Sequence, residues 1–239
     1  MEIMGVKVDS VTYPQALEKA RKFIESGGKH YIVTPNPEII VTAQKDRQFK
    51  DILNKADLAV PDGIGLIFAA RFLGKSLPER VTGVDLLEGL VALAAEHGYN
   101  LFILGGGEGV AGKAAVELKK RYSKLKIAGT FSGRAEEEFD KETRAAFAGK
   151  KIDILAVGYG APKQERWIAR NLPLLNVKLA IGVGGAFDFL AGEAPRAPQR
   201  IRQLGLEWLY RLVRQTWRLK RQLSLPYFVY LVLKARLKS

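Results

Sequence analysis

Short apolar runs alternate with longer amphipathic stretches through residues 1–190. Residues 13–26 show the helical form, because Ala16, Ala20 and Ile24 recur at helical spacing and Gly27 follows them. The pattern predicts strands at 3–8, 31–33, 58–60, 100–104, 126–131, 152–157 and 178–183. It predicts helices at 13–26, 64–72, 85–97, 108–122 and 135–148. Three further helices are predicted with one end defined: one ends near residue 45, one begins at residue 47 and one ends at residue 171. This alternation predicts an α/β fold, a Rossmann-like, mostly parallel sheet with helices on both faces.

The character of the chain changes near Pro195 and Pro198, where basic and aromatic residues become frequent. We therefore predict an α/β domain at residues 1–195, which would carry the chemistry, and a C-terminal appendage at 196–239. The appendage carries eleven Lys and Arg and one acid, so it holds +10 of the chain's net charge of +13. The α/β domain is close to charge balance, and the appendage is expected to meet an anionic partner.

Composition excludes several classes of site. The 239 residues contain no cysteine and two histidines, so neither a disulfide framework nor a thiolate or His-rich metal site is expected. About 18 consecutive apolar residues would be needed to span a bilayer, and no such run occurs. The N-terminus does not resemble a signal peptide.

Small and polar residues follow the predicted strands, where an open parallel sheet binds its ligands. Several of these turns precede a helix N-terminus, which favours a phosphate group. Turns need glycine in any case, so each one alone is weak evidence. Together they predict a phosphate-bearing ligand, and the turns are residues 34–36, 62–63, Gly105, Gly106 and Gly107, residues 158–160, and 182–183 with Gly184 and Gly185.

A G-x-G-x-x-G stands at residues 107–112, after a strand and before a helix. A dinucleotide site would place a carboxylate about 20 residues later, and residues 129–132 contain none. We therefore favour a nucleoside diphosphate over NAD, with a dehydrogenase as the weaker alternative. No P-loop motif occurs, which excludes a P-loop NTPase.

Three polar side chains at the strand ends each allow two interpretations. Asp62 is either the cap of the next helix or a general base. Arg80 is either a surface charge or a clamp on a diphosphate. Gln164 belongs either to a solvated helix face or to a pocket that binds a sugar hydroxyl. No Asp-x-Asp motif, the usual carboxylate pair for a metal-bound nucleotide sugar, is present.

In combination, these motifs resemble the WecG/TagA/CpsF glycosyltransferases, and within that family the TagA-type N-acetylmannosaminyltransferases. The resemblance covers nearly the whole chain, and each motif alone is weak. It rests on residues 34–38, 61–63, 83–86, 104–106, 160–165, 182–188, 192–198 and 205–208.

The resemblance implies an inverting, metal-independent transfer of N-acetylmannosamine from UDP to the 4-hydroxyl of N-acetylglucosamine on undecaprenyl diphosphate. No cofactor is implied. Asp62 would be the general base, and Arg80 would assist near the diphosphate. Thr34, Asn36 and Gln164 would line the sugar pocket. A relative that uses an N-acetylmannosamine uronate or another hexose remains an alternative donor specificity.

The appendage has the chemistry of a membrane-surface segment. Residues 227–233 form an aromatic and aliphatic run that is too short to span a bilayer but suits its interface. We expect the protein to lie in the cytoplasm, peripheral on an anionic inner membrane face, and not to bind nucleic acid. The alternatives are a solvated helix and a nucleotide-binding module with a nucleic-acid-binding tail. Formation of a homodimer remains open. Residues 198–223, treated as one helix, place four arginines on one face for lipid or for the departing diphosphate: Arg211, Arg214, Arg218 and Arg221.

Overall fold

The computed structural model describes residues 1–214, 219 and 223–237. The strands are β1 Glu2–Ile3, β2 Val6–Lys7, β3 His30–Val33, β4 Leu58–Ala59, β5 Asn100–Gly105, β6 Lys126–Phe131, β7 Ile152–Gly158 and β8 Val177–Gly182. The helices are α1 Tyr13–Glu25, α2 Pro37–Lys45, α3 Arg47–Asn54, α4 Ile64–Phe72, α5 Gly83–His97, α6 Val110–Arg121, α7 Asp140–Ala145, α8 Lys163–Asn171, α9 Ala186–Leu190, α10 Gln199–Gln203, α11 Glu207–Arg214 and α12 Ser224–Arg236.

Six strands form one sheet in the order β4-β3-β8-β7-β5-β6, and every neighbouring pair is parallel. Apart from Asp153, the inner strand β7 is apolar on both faces, as expected for a strand covered by helices on each side. The predicted α/β fold with a parallel sheet and flanking helices is therefore confirmed.

Both faces of the sheet are covered by helices. On one face, α1, α5, α6 and α9 pack over alternate strand residues such as Ile32, Ile154 and Ile181. On the other face, two clusters involve α2, α3, α4 and α12 at one end and α8 at the other. The carboxyl ends of β3, β4 and β8 lie side by side, so the turns that follow them share one rim.

Three predicted elements differ from the structure. Residues 3–8 form the β1–β2 hairpin, not one strand, because the chain reverses at Met4, whose φ is +50°. Residues 135–148 are helical only at Glu137–Phe139, a 3₁₀ turn, and at α7. Beyond α7 the backbone continues in i→i+3 turns as Phe147 packs against Phe102 in the core.

The third difference is that residues 198–223 are not one continuous helix, since α10 and α11 are separated at Leu204, Gly205 and Leu206. Gly205 has φ of +73°, and a Cβ atom there would lie 2.8 Å from the Ile64 side chain. Glycine therefore allows the break between α10 and α11 to approach the first residue of α4 closely.

Helix α12 packs against α2 and α4. Phe228 and Val232 are buried in the same apolar cluster as Ile40 and Leu66, whereas Tyr230 remains largely exposed. Within the described residues, each helix is too short or too polar to cross a membrane. The boundary between domain and appendage at residue 195 stays a prediction.

Candidate active site

A cavity of about 1060 Å³ opens at the rim formed by the carboxyl ends of β3, β4 and β8. Its walls come from the N-termini of α2, α4, α5 and α8, the β8–α9 turn, the α10–α11 segment and α12. This volume is slightly above the range for a single small ligand, about 300–1,000 Å³. The position is the one at which open parallel sheets bind ligands.

Asp62 lines this cavity from the turn between β4 and α4 and is partly buried. Its Oδ2 accepts a 3.2 Å hydrogen bond from the backbone N–H of Gly83, the first residue of α5. Burial raises the pKa of Asp62 to about 6, while the Gly83 amide and the Arg80 guanidinium oppose that shift and Glu207 adds to it. The N-cap of α4 is Gly63, so Asp62 does not cap the helix that follows it.

Thr34 and Asn36 reach the cavity from the turn after β3. The Thr34 hydroxyl is buried and donates to the Gly182 carbonyl at 3.4 Å. Asn36 is the N-cap of α2, and its Oδ1 accepts from the Ile39 N–H at 2.9 Å. The capping bond fixes the Asn36 side chain and leaves its amide nitrogen for a ligand.

Gln164 lines the cavity but is 2% exposed, which excludes a solvated helix face. Its Oε1 accepts from the backbone N–H of Gly160 at 3.1 Å and of Gly184 at 2.9 Å. Its Nε2 donates to Glu165 Oε1 at 2.8 Å. Gln164 therefore ties two cavity turns together, and burial raises the pKa of Glu165 to about 7.

The glycine-rich turns divide into two groups. Gly184 and Gly185 line the cavity, whereas Gly105, Gly106 and Gly107 lie at the end of β5, outside its lining. A Cβ atom on Gly105 would lie 2.9 Å from the Gly158 backbone, so this glycine allows β5 and β7 to end in close contact.

Arg80 lines the cavity next to α10 and α11 of the appendage, so it is not a plain surface charge. It donates to the Arg202 carbonyl at 2.9 Å and lies 4.0 Å from Glu207. Arg196 continues this network through ion pairs with Asp85 and, at 3.6 Å, with Glu207. The network fastens α10 and α11 beside Asp62.

The four appendage arginines do not share one environment. Arg211 lines the cavity, and its guanidinium lies 4.7 Å from the centre of the Phe189 ring. Arg214 is exposed and stacks over Tyr210 at 5.1 Å. Arg218 and Arg221 lie outside the described residues.

The sequence assigned no role to four residues of this region, although each belongs to a motif quoted above: Asp85, Glu165, Arg196 and Glu207. Only Glu207 carried a further signal, as the single acid of the appendage. In the part of the chain that the structure describes, no three His, Asp or Glu side chains cluster as metal ligands.

The arrangement suits a defined kind of chemistry. A carboxylate whose pKa is raised towards neutrality can accept a proton from a hydroxyl group. Guanidinium groups beside it can hold a departing anion such as a diphosphate.

Comparison with known proteins agrees with this chemistry. The model of the "Glycosyl transferase WecG/TagA/CpsF family" matches residues 1–239. The chain is 33% identical over 229 residues to the N-acetylglucosaminyldiphosphoundecaprenol N-acetyl-beta-D-mannosaminyltransferase of Bacillus subtilis (strain 168), covering 92% of this chain and 89% of the relative. It is 32% identical over 240 residues to the protein of that name from Staphylococcus aureus (strain MRSA252), covering 100% and 94%.

Proposed function

The chain belongs to the WecG/TagA/CpsF family of glycosyl transferases, as its motifs predict, and from this membership we propose its reaction. We propose that it moves N-acetylmannosamine from UDP-N-acetylmannosamine to N-acetylglucosamine on undecaprenyl diphosphate, forming a β-1,4 linkage with inversion. The relatives' names support the acceptor and the sugar. The product would be the linkage unit of wall teichoic acid.

Asp62 carries the proposed mechanism, because its carboxylate lines the cavity and its pKa is raised to about 6. The carboxylate takes the proton from the 4-hydroxyl of the acceptor sugar. That oxygen attacks the anomeric carbon, and the bond from this carbon to the UDP oxygen breaks. The proton remains on Asp62, and UDP leaves with the bonding electron pair.

We propose that Thr34 and Asn36 contact the sugars, since both line the cavity beside Asp62. Gln164 would act by holding the turns at Gly160 and Gly184 in place, because its amide is already bonded to them. The backbone of Gly184 and Gly185 would contact the donor, and Gly105, Gly106 and Gly107 would extend the site only if the nucleotide reaches β5.

The leaving diphosphate would be held by Arg80 and Arg211, the two proposed contacts of this type that line the cavity. Preorganised cations at a developing charge lower the barrier without a metal ion. Arg214 is directed over Tyr210 and would serve lipid contact. Arg218 and Arg221 keep the role proposed from the sequence, leaving-group or membrane contact.

We propose that the appendage holds the enzyme on the cytoplasmic face of the membrane. Its net charge of +10 and the exposed Tyr227 and Tyr230 of α12 support this proposal. Binding to phosphatidylglycerol vesicles and to duplex DNA at matched salt tests it, since DNA binding without vesicle binding would favour the nucleotide-binding module. Sedimentation with and without vesicles tests the homodimer.

The reaction is tested by measuring UDP release and disaccharide-lipid formation from a panel of UDP-sugars with a prenyl-diphosphate N-acetylglucosamine acceptor. We expect turnover with UDP-N-acetylmannosamine above that with its uronate or with hexose donors. Preference for another sugar would change the donor, and no transfer from any donor would refute the function.

A further inference from the structure

We propose that a trough between α4 and α12 binds the first isoprene units of the lipid acceptor. The trough is lined by Phe68 and Phe72 of α4 and by Val229 and Leu233 of α12. The inference rests on the proposed function for the identity of the acceptor. It adds a binding site for the hydrocarbon chain, next to the site for the sugars.

The trough is apolar and open. Phe68 is 62% exposed and Val229 is 56% exposed, although both line the same cavity as Asp62. Exposed apolar surface that continues from a polar reaction site indicates a ligand with both characters. A polyprenyl diphosphate sugar has a polar sugar and diphosphate at one end, followed by an apolar chain.

The length of the trough limits the number of isoprene units that it can hold. Helix α4 begins next to Asp62, and the cavity follows it from Ile64 to Phe72, a rise of about 12 Å over eight residues. Four extended carbon–carbon bonds of an isoprene unit advance roughly 5 Å. The sugar and diphosphate of the acceptor occupy the part of this length nearest Asp62, so the trough accommodates one to two units, beginning near Arg71 and Phe72.

Charge supports a lipid diphosphate as the occupant. Arg71 lies in sequence between Phe68 and Phe72, is exposed and lines the cavity. Its side chain makes no hydrogen bond or ion pair with any other residue that the structure describes, so its donors are free for phosphate oxygens. A flat bilayer would meet the outer face of α12, whereas this trough leads inward to Asp62.

In the cell the trough orients the acceptor more than it strengthens its binding, because a prenyl chain that leaves the bilayer gains little apolar contact. In water it contributes affinity in proportion to the number of CH₂ groups that it covers. Since the trough covers the chain on one side only, we expect on the order of tenfold tighter binding for each added unit.

Calorimetry with isopentenyl, geranyl, farnesyl and geranylgeranyl diphosphates, in detergent-free buffer with the full chain, tests the site without needing turnover. We expect affinity to rise about tenfold per unit and to level off at geranyl diphosphate. Leu233→Gln should remove most of the rise, whereas Arg71→Gln should weaken every ligand by a common factor. The matched control is Leu237→Gln, since Leu237 is 88% exposed just beyond α12 and does not line the cavity.

Affinity independent of chain length, or equal effects of Leu233→Gln and Leu237→Gln, would overturn the proposal. Weaker binding of Leu233→Gln to acceptor-free phosphatidylglycerol vesicles, with prenyl binding intact, would assign the face to the bilayer. Chain-length-dependent binding in a protein that transfers no sugar would support the trough and refute the proposed function. Sugar transfer by a protein whose prenyl binding does not depend on chain length would support the proposed function and refute the trough.

Discussion

Replacing Asp62 by Asn separates the chemical role of the carboxylate from its effect on stability. Asn keeps the acceptor for the Gly83 N–H but cannot take a proton from a hydroxyl group. Loss of a general base typically lowers the rate by about 10²–10⁴-fold, and we expect kcat to fall in this range. The acid limb of the kcat/KM profile should lie near pH 6 in the wild type.

The raised pKa also predicts that Asp62→Asn stabilises the fold. The folded-state pKa is about 6 against an ordinary value of 3.8, a difference of about two units, which corresponds to at most about 3 kcal/mol. Below pH 3.8 the group is protonated in both states, and there is no effect. Stability is lost as pH rises from 3.8 to 6, and above pH 6 the destabilisation is complete.

Activity from pH 4.5 to 8 and thermal unfolding at pH 4.5 and 7.5 check both effects. For a chain of this size, 1 kcal/mol shifts Tm by roughly 2–4 °C, so a gain of several degrees is expected at pH 7.5 and a smaller one at pH 4.5. Asp51→Asn, at an exposed position of α3, is the control for the chemical change alone.

Wild-type turnover in Asp62→Asn would remove Asp62 as the base. An acid limb near pH 4 would contradict the effect of burial on its pKa. A Tm gain that is equal at both pH values, or matched by Asp51→Asn, would show that ionisation of Asp62 is not the cause.

Three further variants test how the cavity is held together. Arg196→Met leaves Glu207 without its nearest cation, so we expect a loss of about 1–3 kcal/mol and faster tryptic cleavage within residues 196–214. Gln164→Leu leaves two backbone N–H groups unpaired, and steady-state kinetics should show a larger rise in the donor KM than fall in kcat. Phe228→Ala opens a hole under α12 and should cost about 3–5 kcal/mol in chemical denaturation, while Tyr230→Ala, on the exposed face, should cost under about 0.5 kcal/mol.

The sequence by itself determined the family and most of the elements. Apolar periodicity placed α4 at residues 64–72 and β6 at 126–131, the bounds that the structure has. The cluster of turns brought Asp62, Thr34 and Asn36 to one cavity because carboxyl ends of parallel strands share an edge. These features are local, or follow from the parallel sheet alone.

Tertiary structure decided which side chains reach the cavity. Arg211 and Arg214 lie three residues apart on α11, yet only Arg211 lines the cavity, whereas Arg214 is exposed and stacks over Tyr210. The ion pair of Arg196 with Asp85 joins residues 111 positions apart, a separation that no periodicity encodes.

The apolar run at residues 227–233 shows the same limit. The sequence predicted a surface for membrane contact, but Phe228 and Val232 are buried against the body of the protein while Val229 and Leu233 remain open beside α4. One helix divides its apolar residues between core and trough according to which neighbours pack against it. Composition and periodicity give the apolar face, and only packing determines what covers it.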